Sequence, residues 1–162
     1  MALGAIPAQA LTECNDPALP SHGDLETALI AVVAQSNGGF GLDMWATVVN
    51  RDGEVCLVAF SGADRGEQWP GSRVISAQKA NTANAFSLPG LALSTANLHA
   101  ATQNGGSLFG LQFSNPVDTS VAYGEDPTAS GDGNAENFGT MDDPMVGSMI
   151  GGINVFGGGL AL

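Results

Sequence analysis

The sequence predicts an α+β domain in which helices cover an antiparallel sheet. Three observations support this prediction: apolar residues at helical spacing over 24–36, an Asp-Gly hairpin signal at 52–53 between two β-rich runs, and a second helical stretch over 72–86. The length of 162 residues and the hydrophobic content of 44% are those of one globular domain. We therefore expect a single domain over 21–162, preceded by a tail over 1–20.

The first helix is predicted from Asp24 to Ser36. Its Leu, Ala and Val residues share one helical face, and either Ser21 or Asp24 can cap its first turn. The Asn-Gly-Gly sequence at 37–39 is typical of a helix end.

A hairpin is predicted next, with its turn at 50–53. In the second run, VCLVAF at 55–60, both alternating sets of side chains are apolar. A strand with two apolar faces is covered on both sides, so we expect it near the centre of the sheet.

The second helix is predicted from Ser72 to Phe86, with Ser72 as its cap and Leu-Pro-Gly at 88–90 as its stop. At about 100° per residue, one narrow stripe of this helix is predicted to face the interior, and Arg73 falls on the opposite side. The stripe consists of Ile75, Lys79, Thr82 and Phe86.

The rest of the chain gives weaker signals. A short third helix is predicted over Thr95 to Gln103, and GGSLFGLQF at 105–113 is interpreted as strand or extended chain. The segment 115–143 contains carboxylates, glycines and no cation, which predicts a long solvated excursion. The final run at 151–162 is β-like but interrupted by glycines.

The formal charge of −12 restricts the partners of the chain. Nucleic acids and anionic lipids are bound through clustered cations, so we expect neither as a partner. No apolar run reaches the ~18–20 residues that a membrane-spanning helix needs. The cations number four and lie between 51 and 79: Arg51, Arg65, Arg73 and Lys79.

The tail and the cysteines each leave two interpretations open. The tail has an apolar run ending in Ala-Gln-Ala at 8–10, which is either the remnant of an export signal or a plain tail. Cys14 and Cys56 pair if the protein is exported; otherwise Cys56 is buried and Cys14 has no role.

Lys79 and its neighbours are the candidate ligand-binding residues. On an interior stripe, Lys79 is either an anion anchor or a reactive amine, or its stem packs on the core with the ammonium in water. Arg65 lies in the loop before the second helix, and guanidinium groups such as those of Arg65 and Arg73 suit bidentate recognition of carboxylates. Trp69, in the same loop, offers either a flat ligand surface or a cap on the core.

The two histidines, His22 and His99, stand alone in the sequence without a second histidine at metal-ligand spacing. A surface position is the default for each, and axial ligation of haem is the alternative.

A family resemblance is carried by VVNRDGEVCLVAFSGADRGEQWPGSRVISAQKANTANAFS, followed by GGSLFGLQ and GGINVFGGGLAL. This pattern resembles the GlcG/HbpS-like family, which includes haem-binding extracellular proteins, glycolate-operon proteins and the C-terminal domain of PduO-type proteins. The resemblance covers most of 24–162. Its most specific part is the helix with Ala-Gln-Lys-Ala at 77–80, so Lys79 is carried over as a family feature.

The resemblance implies a profilin-like fold, with about five antiparallel strands between helices, and assembly into homo-oligomers. It also implies haem as a cofactor in some members. Axial ligands vary across the family, so the resemblance does not fix His99 or His22 as the ligand, and both stay candidates. Relatives continue beyond the match to GGGLAL into one more strand and helix. This implies that a second chain supplies that strand and helix here.

These observations favour a periplasmic or extracellular protein that binds haem or another carboxylate-bearing ligand. Two other classes stay open: an enzyme that uses Lys79 on a small carboxylate or carbonyl substrate, and a homo-oligomer or filament subunit. The expected ligand contacts are Arg65, Trp69, Arg73, Lys79, Thr82 and Phe86.

Overall fold

The computed structural model describes residues 13–35, 38–124 and 134–161. Within these ranges the chain has an α+β fold with a two-stranded antiparallel sheet and five helices, which confirms the predicted class. The strands are β1 (Trp45–Val49) and β2 (Val55–Phe60). The helices are α1 (His22–Val33), α2 (Ser72–Ala85), α3 (Thr95–Thr102), α4 (Leu111–Ser114) and α5 (Thr119–Tyr123), with a 3-10 turn at Ala135–Asn137.

Some predictions fall outside the described residues. They are the Ala-Gln-Ala pattern at 8–10, the first residue of the helix-ending sequence at 37–39 and the middle of the acidic segment.

Helix α1 begins with a capping box in which Ser21, one of the two predicted caps, is the N-cap residue. The Ser21 hydroxyl accepts a hydrogen bond from the Asp24 backbone N–H at 3.2 Å, and the Asp24 carboxylate accepts one from the Ser21 N–H at 3.1 Å. The hydrogen bonds from the side chain and backbone of Ser21 hold the pKa of Asp24 below its usual value. The helix ends at Val33, before the predicted Ser36.

The hairpin forms where the sequence predicts it. The Gly53 N–H donates to the Asn50 carbonyl at 3.1 Å, and Gly53 has a φ of 88°, which favours glycine. Both faces of β2 are covered, because Val55, Cys56, Val58 and Ala59 are all buried.

The core lies between this hairpin, helix α2 and the last third of the chain. Helix α2 packs on β1, and α1 packs on β2. The central cluster also takes side chains from α5 and from the segment after it. Its buried members are Trp45, Val55, Val58, Val74, Ala77, Ala122, Met145 and Ile150.

The last third of the chain differs from its prediction. Residues 105–113 form turns that lead into the short helix α4, and not a strand. The acidic segment is not simply solvated, since it contains α5 and returns to the core at the buried Asp143. The run at 151–161 makes only isolated β-bridges, because Gly151, Gly152 and Gly158 have positive φ values that an extended strand does not allow.

The two cysteines are joined. Cys14 and Cys56 form a disulfide that closes a sequence separation of 42 residues and ties the segment before α1 to strand β2. Of the two interpretations that the sequence leaves open, the structure has the paired one.

None of the described helices is both long enough and apolar enough to cross a membrane.

Removing the disulfide is expected to lower the free energy of unfolding by about 4 kcal/mol, because a cross-link of this span restricts the unfolded chain. Urea unfolding of the wild type and of Cys14→Ala/Cys56→Ala measures this difference. Reductant should destabilise the wild type and leave the double variant unchanged. Equal unfolding free energies for the two proteins under oxidising conditions would contradict the prediction.

Candidate functional site

Helix α2 presents a different face to the core from the one its periodicity predicts. Gly71 occupies the cap position without a side-chain hydrogen bond, so the prediction that Ser72 caps the helix is wrong. Of the predicted interior stripe only Thr82 is buried, whereas Ile75, Lys79 and Phe86 are half-buried. The buried residues of this helix are Arg73, Val74, Ala77, Thr82 and Ala83.

Arg73 is the main reversal, since it was predicted to lie opposite the interior stripe and is 1% exposed. Its Nε donates to Oδ2 of Asp143 at 2.7 Å, and its Nη2 donates to Oδ1 of the same carboxylate. Its Nη1 donates to the Ala122 carbonyl at 2.7 Å. The buried guanidinium is therefore neutralised inside the protein by a bidentate partner.

Asp143 also organises the backbone around it. Its carboxylate accepts the N–H of Gly139 at 2.7 Å and the N–H of Met145 at 2.9 Å. The Arg73 guanidinium lies over the Phe138 ring, with its Cζ 3.8 Å from the ring centroid. The pair thus fixes Phe138 and the following turn against helix α2.

A cavity of about 260 Å³ lies beside this ion pair. The Trp45 indole N–H donates to the Trp69 carbonyl at 3.0 Å, which fixes the orientation of one wall. A side chain at Gly139 would collide with the rings of Trp45 and Phe60, so a glycine is required for the chain to pass there. The lining residues are Trp45, Arg65, Gly66, Pro70, Gly71, Arg73, Tyr123 and Phe138.

The loop over 61–71 is braced by its own side chains. The buried Gln68 accepts the N–H of Gly62 at 3.0 Å and donates to the Asp64 carbonyl at 2.5 Å. The Asp64 carboxylate accepts the Gly66 N–H, and the Glu67 carboxylate accepts the Ala63 N–H, each at 2.6 Å. These bonds hold the loop in a fixed shape beside the cavity.

Arg65 is left without a partner by this arrangement. Its acidic neighbours, Asp64 and Glu67, bond to backbone N–H groups of the loop. Within the described part of the chain, the Arg65 guanidinium makes no hydrogen bond or ion pair, and it is exposed while it lines the cavity. It is available to an anion from outside.

The other two cations are engaged elsewhere. Arg51 donates to the Asn84 carbonyl at 2.5 Å and to the Ser87 carbonyl at 2.8 Å, at the C-terminal end of α2. Lys79 donates to the Gly157 carbonyl at 3.0 Å. Desolvation of the half-buried amine lowers the pKa of Lys79 from its usual value.

The structure divides the predicted ligand-binding residues among three places. Arg65 and Arg73 line the cavity, but each guanidinium nitrogen of Arg73 already donates to a protein group. Trp69 is 70% exposed and is not among the cavity-lining residues; its backbone carbonyl accepts the Trp45 indole N–H. Thr82 lies on the same helix as Lys79; it is buried, and its hydroxyl accepts the N–H of Asn154.

Phe86 is half-buried at the C-terminal cap of α2. It is not among the cavity-lining residues.

Neither histidine lines the cavity. The Nε2–H of His22 is shared between the carbonyls of Val58 at 3.0 Å and Gly139 at 2.9 Å, so this nitrogen is committed to the backbone. His99 is exposed on α3, and its nearest side-chain partner is Gln103. Among residues 13–35, 38–124 and 134–161, no group of three or more potential ligands is placed to hold a metal ion.

Sequence reasoning did not find Tyr123 or Phe138 as cavity residues. They are the two aromatic residues of the acidic segment 115–143, and large aromatics in an otherwise polar stretch are the signal that would have identified them. Asp143 carried no local signal, because its partner lies 70 residues away in the sequence.

Comparison with known proteins found no matching family model, no matching curated protein and no matching solved structure.

The buried ion pair is predicted to couple Arg73 and Asp143 energetically. Asp143→Asn should lower the free energy of unfolding by about 3–5 kcal/mol, because it leaves a buried guanidinium without its counter-charge. Adding Arg73→Met should recover part of that loss, with a coupling free energy of ~1–3 kcal/mol in a double-mutant cycle measured by urea unfolding.

The matched control is a cycle of Asp143→Asn with Arg51→Met, since Arg51 bonds to backbone carbonyls and to the Asn84 amide and not to Asp143. That cycle should show no coupling. Coupling of equal size in both cycles would argue against a specific pair.

Lys79 is predicted to titrate at lower pH in the folded than in the unfolded protein. It is the only lysine in the sequence, so reductive ¹³C-methylation labels it together with the amino terminus alone. The folded protein binds fewer protons between the two pKa values, so stability should rise as the pH increases through that interval towards 10.5. NMR titration with and without urea measures the two midpoints, and identical midpoints would overturn the prediction.

Proposed function

We propose that the protein binds a small carboxylate-bearing molecule in the cavity beside the 61–71 loop. One observation carries this proposal: Arg65 is exposed, lines a cavity with aromatic walls, and has no partner in the described part of the chain. A guanidinium group presents paired N–H donors that match the two oxygens of a carboxylate. Aromatic walls add apolar contact for the body of the ligand.

The charge of the chain supports an anion at this position and not at others. With a net charge of −12, most of the surface repels anions. Arg51, Arg73 and Lys79 are already bonded to protein groups. The Arg65 guanidinium is therefore the cation best placed to attract one.

Haem is supported less well than a smaller ligand. The cavity of about 260 Å³ is below the ~300–1,000 Å³ of pockets that enclose drug-sized ligands. Neither His22 nor His99 lines it to serve as an axial ligand. The cavity therefore supports a small organic carboxylate better than haem, and the proposal is a small organic carboxylate.

The other two candidate functions have separate support. The lowered pKa of Lys79 favours a reactive amine, although Lys79 lies outside the cavity. The other is a sheet that is completed by a second chain, which the resemblance implies. Among the described strands β1 pairs only with β2, so its other edge is available to a strand from a partner.

The binding proposal is tested by titrating small carboxylates into the variant Trp69→Phe. This variant leaves Trp45, which lines the cavity, as the only indole, and it keeps the backbone carbonyl that fixes Trp45. We expect saturable changes in Trp45 fluorescence. Arg65→Gln should weaken binding about tenfold or more, since a hydrogen bond to a charged group contributes about 1.5–3 kcal/mol.

Arg65→Lys is the matched control, because it keeps the charge and loses the bidentate geometry; it should retain intermediate affinity. Unfolding free energies should be equal in all variants, since Arg65 makes no bond to the described residues. Affinity that does not depend on residue 65, or a haem titration that is tighter than any small carboxylate, would reject the proposal.

A further inference from the structure

Among the described residues, Arg65 supplies the one available positive charge of the cavity. Arg73 also lines it, but this residue is 1% exposed and its guanidinium is bonded to Asp143 and to the Ala122 carbonyl. A ligand with a second carboxylate would find no further free cation among the described lining residues. It would also bring more negative charge to a chain that already carries −12. A single carboxylate is the best match.

The walls are flat and held in place. The Trp45 indole is fixed by its hydrogen bond to the Trp69 carbonyl and by an edge contact with Phe60, whose ring centroid lies 5.4 Å away. Phe138 is held by the guanidinium of Arg73, and the Tyr123 ring lies 6.4 Å from it between centroids. Fixed rings select a planar partner, because stacked and edge-to-face contacts depend on orientation.

The loop side of the cavity leaves room for a ring but not for a large molecule. Gly66 and Gly71 line it without side chains, and Pro70 adds an apolar surface next to them. The volume of about 260 Å³ is below the range of drug-sized pockets. These dimensions suit one aromatic ring with a short acidic arm.

We infer that the ligand is an aromatic monocarboxylate, with its carboxylate on Arg65 and its ring between the side chains of Trp45, Tyr123 and Phe138. This inference rests on the proposed function and narrows it to one chemical class. The Arg65 guanidinium supplies the charge recognition, and the three rings supply the discrimination between planar and non-planar bodies.

Isothermal titration with four probes tests the inference: phenylacetate, cyclohexylacetate, phenylacetamide and 1,4-phenylenediacetate. Phenylacetate should bind most tightly. The amide lacks the charge, the cyclohexyl acid lacks the planar ring, and the dicarboxylate adds a second charge to the same body. We expect each to bind at least about tenfold more weakly.

Two variants separate the contributions. Tyr123→Leu should reduce the preference for phenylacetate over cyclohexylacetate and leave the preference over phenylacetamide intact. Arg65→Gln should abolish the preference over phenylacetamide. Unfolding measurements on both variants establish that each is folded, and neither side chain makes a hydrogen bond to the described part of the chain.

The outcomes distinguish this inference from the function on which it rests. Equal affinity for phenylacetate and cyclohexylacetate would overturn the inference that the ligand is aromatic. Equal or tighter binding of the dicarboxylate would overturn the inference that the ligand carries a single carboxylate. In both cases carboxylate binding at Arg65 would stand. If none of the carboxylates binds, or if all bind Arg65→Gln as well as the wild type, the proposed function itself is wrong.

Discussion

The buried pair of Arg73 and Asp143 is the interaction on which the arrangement of this protein depends. It connects the first turn of α2 to the segment that returns from the acidic stretch, across 70 residues of sequence. The same guanidinium reaches the Ala122 carbonyl at the end of α5 and lies over the Phe138 ring. Since Tyr123 follows Ala122, one ion pair positions two of the three aromatic walls of the cavity.

Burial of this pair also determines how the few positive charges are used. A buried charge must keep its partner, so Arg73 is not free to bind a ligand. Arg51 donates to the Asn84 carbonyl at the C-terminal end of α2, and Lys79 donates to the Gly157 carbonyl. Arg65 remains available because the carboxylates of its own loop are bonded to backbone N–H groups. The chain has a net charge of −12, and within its described part Arg65 has the one guanidinium that makes no hydrogen bond or ion pair.

The elements with local signals could be predicted from the sequence, and those that depend on distant contacts could not. The Ser21 cap of α1, the turn at Gly53 and the two-sided burial of β2 are encoded within a few residues and are found as predicted. The prediction that Arg73 lies opposite the buried face of α2 was wrong. Helical periodicity places a charged residue at the surface, because it contains no information about the distant carboxylate that neutralises it. Of the cavity, the sequence identified Arg65 and Arg73 but not Tyr123 or Phe138, which are brought in by that same long-range pair.

Among the described residues, Arg65 has the guanidinium without a hydrogen bond or ion pair, and we propose that it meets the ligand, whereas Arg73 is buried in its pair with Asp143. The three arginine Nε–H resonances in a ¹H–¹⁵N spectrum, assigned with Arg65→Lys, report on this claim directly when recorded at mildly acidic pH with and without phenylacetate. We predict that the Arg65 resonance shifts on addition of the ligand and that those of Arg51 and Arg73 stay in place. A shift confined to Arg73, or no shift at saturating phenylacetate, would contradict the account.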